Sequence, residues 1–197
     1  MMSIVLKTCL VIVVCSMALS GCAAAVKPPT VMVTGFHAGA IDQLVVLPVV
    51  DHRIDKSSGL DLDEAVLPLA ERSLTDKHYP HTVVRDRAII EQVTPVVLES
   101  PSRDWVSTLG PSGSRWLLLL VVEDASSSLS FGSTGNAEMS GYLFDKEQRT
   151  VVWRNKELSR VGQGGLIGMA MKGMMARTAV EAATREMFRA LPFHHEK

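Results

Sequence analysis

The chain has 197 residues, 47% of them hydrophobic, with 20 basic and 21 acidic side chains and a formal net charge of −1. Such a balance offers no basic footprint for nucleic acid, so no nucleic-acid partner is expected. The length suits one domain with a sizeable core. Residues 1–21, MMSIVLKTCLVIVVCSMALSG, carry one basic side chain, Lys7, then an apolar run from about Cys9 to Leu19 and small residues. This is the pattern of a secretory signal peptide, because a spanning helix needs roughly 20 apolar residues. Without it, 19 basic side chains face 21 acidic ones, a formal charge of −2.

The next feature is the tetrapeptide Leu19-Ser20-Gly21-Cys22, which resembles the lipobox of bacterial lipoproteins. The resemblance implies cleavage after Gly21, a diacylated sulfur on Cys22 and an acyl chain on its new amino terminus. Two or three acyl chains, at roughly 0.8 kcal/mol per buried methylene, hold a protein on a bilayer essentially permanently. Ala23 and Ala24 stand where an aspartate would, in enteric bacteria, mark retention in the inner membrane. The resemblance therefore implies an outer-membrane anchor with the domain facing the periplasm. Cys9 and Cys15 leave with the signal and Cys22 becomes the anchor, so no thiol is left for a disulfide, a Cys-ligated metal or a nucleophile.

Residues 22–41 are expected to form the lipidated N-terminus and a Pro-containing tether, with one short edge strand near Val31 to Val33. Residues 42–197 are expected to form a periplasmic α/β domain. It opens with Gln43 to Val50, a continuous apolar run suited to a strand covered on both faces, with Pro48 ending its ladder. Asp61 can cap a helix with Glu64 three residues on, and Leu62, Val66, Leu69 and Leu74 share one face through Lys77. His81 to Val84 reads as a strand, Arg87 to Val93 and Asp104 to Leu109 as short helices, with a loop holding Pro95 and Pro101 between them. Arg115 to Glu123 encloses seven apolar residues between charges and should be the centre of the sheet. From Ala125 the chain turns polar and small and reads as a loop to Asn136. Alternation then resumes, Met139, Gly141 and Leu143 against Ser140, Tyr142 and Phe144, and Val151 to Trp153 returns after a turn at Asp145 to Thr150.

The last segment, Val161-Gly-Gln-Gly-Gly-Leu-Ile-Gly-Met-Ala-Met-Lys-Gly-Met-Met175, looks like a phosphate loop but fits neither template. Ile167 occupies the third glycine position of the dinucleotide fingerprint, and Met174 stands where a P-loop needs lysine. Met169, Gly173, Ala176, Val180, Ala183, Met187 and Ala190 instead form one helical stripe of mostly small residues, able to bring a helix close to the sheet. Met171, Met174 and Met175 point in other directions and are candidates for a partner surface, since methionine adapts to varied partners. The fold class expected is α/β (α+β): one mixed sheet of about five to six strands with a C-terminal hairpin, flanked by helices including a long C-terminal one.

Catalytic and metal-binding patterns are weak. Ser112 in Gly-Pro-Ser-Gly lacks the nucleophile-elbow spacing and precedes a strand. Pro80 breaks any helix that would align His78 and His81, and His194-His195 reads as a tail. Asp51, Asp55, Asp61 and Asp63 lack the spacing of a calcium loop. No catalytic residue, metal or cofactor is expected.

Three stretches together carry a family resemblance: Leu44 to Asp51, Leu109 to Val122, and Tyr142 to Trp153. They resemble the periplasmic α/β lipoproteins related to the N-terminal domain of TolB and to CsgG-type secretion proteins, over about residues 42–190. Gln148-Arg149 replaces the Thr-Gly of that pattern's hairpin turn. Ser128 to Phe131 alternates too briefly to cross a membrane, so no pore is expected. The resemblance implies a non-enzymatic assembly, secretion or accessory subunit of an envelope complex, with protein partners or self-association besides the bilayer. The alternative is an anchored binding module for a small ligand or glycan, with Ala125 to Asn136 as its lip.

Overall fold

The computed structural model describes residues 29–129, 132–164 and 172–194. The strands are β1 (Val31–Met32), β2 (Leu44–Val46), β3 (Val50–Asp51), β4 (His81–Val83), β5 (Trp116–Leu129), β6 (Gly132–Asp145) and β7 (Thr150–Gly164). The α-helices are α1 (Leu62–Asp76), α2 (Pro95–Glu99), α3 (Arg103–Thr108) and α4 (Lys172–Arg189). All seven strands join one mixed sheet ordered β1-β7-β6-β5-β2-β4, with β3 also on β5. β2 is parallel to β4 and β5, whereas β5, β6 and β7 form an antiparallel meander.

β5 lies at the centre, as its apolar run requires. Leu118, Leu120 and Val122 face α1 and α4, where they meet Val66, Leu74, Val180 and Met187. Leu117, Leu119 and Val121 face the other way, toward Ile90, Leu98 and Val106. Period-two alternation thus feeds two cores from one strand, the pattern of a sheet covered on both faces. α1 begins where expected: the Asp61 carboxylate accepts the Glu64 N–H at 3.0 Å, satisfying one of the orphan donors of the first turn.

Several expectations are corrected. The apolar run after Gln43 is two short strands, with Pro48 between them, because proline cannot donate to a ladder. Arg87–Ile90 is a single 3-10 turn. Pro95 does not sit in a loop: it opens α2, with Thr94 capping Val97, since proline at the first helical position sacrifices a donor that has no partner anyway. Among the described residues the sheet has seven strands because Pro48 divides that first run in two, and the polar stretch after Ala125 lengthens two of them. β5 runs to Leu129 and pairs with β6 up to Leu129↔Ser133, so Ala125 to Leu129 and Gly132 to Asn136 are strand rather than a lip loop. His194 is not a free tail. Its Nε2–H donates to the Ile41 carbonyl at 2.7 Å and its backbone N–H to the Lys77 carbonyl at 3.1 Å, pinning the chain beneath Tyr79.

The close approach of α4 to the sheet is made by glycines of β6. A Cβ on Gly141 would lie 2.8 Å from the Met187 sulfur and 3.0 Å from the Trp153 ring, and one on Gly135 would lie 2.0 Å from the Met175 carbonyl oxygen. Within the expected stripe, Ala176, Val180, Ala183 and Met187 are buried. Met169 lies outside the described residues.

Candidate functional site

The short helices α2 and α3 cover only part of the second sheet face, and beside them opens a cleft of about 410 Å3. His52 and Ile54 after β3 and Pro95, Leu98 and Glu99 of α2 form its walls, with Glu123, Tyr142, Arg154 and Lys156 of the sheet as floor. The backbone dictates this arrangement. The His52 N–H bonds the Val122 carbonyl at 3.0 Å, after which the chain leaves the sheet. The β5–β6 register then slips between Val122 and Asp124, and such a bulge re-aims a side chain: Glu123 lines the cleft. On β6 and β7 the pairs Tyr142↔Arg154 and Ser140↔Lys156 bring the other floor residues side by side.

The floor is a charge network. Lys156 Nζ lies 3.1 Å from Glu123 Oε2 and also pairs with Glu138, while the Ser140 hydroxyl donates to Glu123. Burial pushes the Glu123 carboxyl up, but the hydrogen bonds from Ser140 and Lys156 and the charge of Lys156 outweigh it and hold it below the usual carboxylate range. Burial pulls the Lys156 ammonium down, yet its bonds to Glu138 and Glu123 leave it above the usual lysine range. Burial also raises the Tyr142 phenol. The Arg154 guanidinium carbon sits 5.1 Å from the Tyr142 ring centroid. Among the described residues Arg154 has no carboxylate partner.

This cleft can hold a polar or anionic group beside Arg154. The nearby hydroxyl and imidazole are not aligned as a nucleophile and base: Ser140 donates to Glu123, and His52 Nε2 bonds the Val93 carbonyl at 3.1 Å. Ser112 is exposed in the turn before β5. The acidic residues go to separate tasks: Asp51 binds Arg53 through both oxygens at 2.8 and 3.0 Å, Asp61 caps α1, and Asp63 accepts the Val49 N–H at 2.8 Å and pairs with Arg87. Among the described residues no three metal-ligating side chains converge.

Of the methionines singled out as a partner surface, Met174 is 59% exposed but Met175 is only 3% exposed, turned under α4 against β6. Met175 is therefore core. Met171, Cys22 and Gly21 lie outside the described residues. Sequence reasoning missed the cleft floor, whose members come from three strands. The one linear signal was Glu123, a carboxylate closing an apolar run.

No family model and no curated protein matches the chain. Among solved structures, it is similar to a single-site variant of the PelC dodecamer from Paraburkholderia phytofirmans, with 11% identity and a TM-score of 0.47 over 81% of this chain and 96% of that one. Lipoprotein GNA1162 from Neisseria meningitidis is 14% identical with a TM-score of 0.45, over 70% of this chain and 97% of that one. The LpoB C-terminal domain from Salmonella enterica is 16% identical with a TM-score of 0.38, over 66% of this chain and 87% of that one.

Proposed function

We propose that this protein is an outer-membrane lipoprotein, acylated at Cys22 after cleavage at Gly21, whose periplasmic α/β domain serves as a non-enzymatic assembly or accessory subunit of an envelope complex. The observation that carries the reading is the apolar signal followed by Leu19-Ser20-Gly21-Cys22. Among the described residues no helix is long and apolar enough to cross a membrane. On the cleft floor Glu123 and Lys156 are committed to each other and to Ser140 and Glu138, which suits binding better than turnover. Fractionation tests the anchor. Wild type is expected in the outer-membrane fraction and Cys22→Ser in the soluble one; persistent membrane attachment of the variant would overturn it. Cross-linking followed by solubilisation tests the assembly role, which fails if only monomer is recovered.

A second reading, an anchored module for a small ligand or glycan, is favoured by the cleft itself. Its lip is then His52, Ile54 and Glu99, with Arg154 as the anchoring cation. A ligand-dependent rise in melting temperature that disappears in Arg154→Ala would select it over scaffolding.

A further inference from the structure

We infer that the hairpin end of the sheet, marked by Leu129, Gly132 and Gly164, is the face the domain turns to the lipid bilayer. The inference rests on the anchor at Cys22.

The first observation is direction. β1 runs antiparallel to β7 with Val31 opposite Arg154 and Met32 opposite Trp153. The contact continues one residue back, where the Thr30 hydroxyl bonds Asn155 Oδ1 at 2.8 Å. Followed from Met32 toward the N-terminus, β1 therefore leads along β7 toward Gly164, which pairs with Gly132 at the far end of the meander. Cys22 stands seven residues before Pro29, a reach of at most about 25 Å at 3.3–3.6 Å per residue. β7 from Asn155 to Gly164 is of similar length, about 30 Å at 3.3–3.4 Å per residue. The acyl chains can thus lie close to that end of the sheet.

The second observation is charge. Residues 125–137 contain no Asp, Glu, Lys or Arg, and neither do residues 161–171. In the register of the sheet these form successive rungs, Ser127, Gly135 and Val161, then Ser128, Thr134 and Gly162, then Leu129, Ser133 and Gln163. The opposite end carries Arg115 paired with Asp145 and Glu147, and Arg149 facing Asp104. These charge-free rungs of β5, β6 and β7, rich in serine, threonine and glycine, enter the headgroup region without the desolvation cost an ion would meet, and the next basic residue in sequence after Gly164 is Lys172, which opens α4. Leu129, 46% exposed, and Met174, 59% exposed beside the same end, supply apolar contact. A second copy covering this end is the competing occupant, but it gives no reason for the N-terminal strand to lead there.

The mature chain has no cysteine besides Cys22, so a single introduced cysteine can carry an environment-sensitive fluorophore. Leu129→Cys and Ser112→Cys, labelled in the acylated full chain, would be reconstituted into phosphatidylethanolamine–phosphatidylglycerol vesicles, with Met174→Cys as a second reporter should the label at 129 disturb the hairpin. The expected result is a blue shift, quenched by doxyl-labelled lipid, at 129 and 174 and not at 112. The inference is overturned if 129 and 174 stay aqueous while the protein floats with the vesicles, or if 112 alone is quenched. It is also overturned if the blue shift at 129 appears in the lipid-free Cys22→Ser protein at concentrations where that protein dimerises, since a second copy then covers the end. Failure of the wild-type chain to float reports instead that the anchor reading itself is wrong.

Discussion

At the scale of the residue, the most informative group is Glu123, a carboxylate drawn into the cleft by a one-residue slip in its strand. Burial alone raises its pKa, but the bonds from Ser140 and Lys156 reverse the sign and leave it depressed. A carboxyl whose folded pKa lies below its unfolded value, about 4.3 for glutamate, stabilises the fold fully above that value and loses the contribution as pH falls through the folded pKa. Glu123→Gln keeps the shape and removes the charge. Urea unfolding at pH 7 is expected to find the variant less stable by about 1 kcal/mol, an order suited to a partly exposed pair, with the gap closing as pH falls from about 5 toward 3. A gap as large at pH 3 as at pH 7 would mean that packing, and not charge, accounts for the loss. His194 makes a second residue-scale case: His194→Ala leaves the Ile41 carbonyl without its donor, and thermal melts should record a loss of about 1–3 kcal/mol.

At the scale of the element, the meander β5–β6–β7 and the helix laid across it explain both what the sequence disclosed and what it hid. Arg115 to Glu123 was legible as the central strand because a short apolar run can be satisfied only by burial on two faces, and Asp61 was legible as a cap because its bond to Glu64 is local. The rungs from Ser126 to Asn136 were not legible. Glycine and asparagine have low strand preference and serine favours turns, and their pairing is set by partners as distant as Arg160 and Gln163. The cleft was hidden for the same reason, as Glu123, Tyr142 and Arg154 meet only through cross-strand register. The small residues that bring α4 down were sought on the helix, whereas the decisive ones are Gly135 and Gly141 on the strand beneath. Gly135→Ala should therefore displace the first turns of α4, since the added carbon would sit 2.0 Å from a backbone oxygen that has no side-chain freedom to retreat. Chemical denaturation is expected to show a loss of about 1–3 kcal/mol, the usual range for overpacking. Wild-type stability in this variant would contradict the close approach.

At the scale of the whole molecule, the question is what force orients the domain on its membrane. Full burial of one leucine yields only about 1.5–3 kcal/mol, and Leu129 is already partly covered, so the hairpin end cannot hold itself on lipid unaided. The short stretch between Cys22 and Pro29 must supply the rest by keeping the effective concentration of that end near the bilayer high. A flexible insert of about 20 Gly and Ser residues after Ala25 would leave the acyl anchor untouched but dilute the hairpin end. With effective concentration falling as roughly the −3/2 power of tether length, lengthening from about 8 to about 28 residues lowers it roughly sixfold. Flotation with vesicles should then be unchanged, while lipid quenching of a fluorophore at Leu129→Cys drops toward the aqueous level. Quenching that survives the insertion would place the orienting force in the domain surface itself, and charge introduced at exposed Ser128 would then be the change that abolishes it.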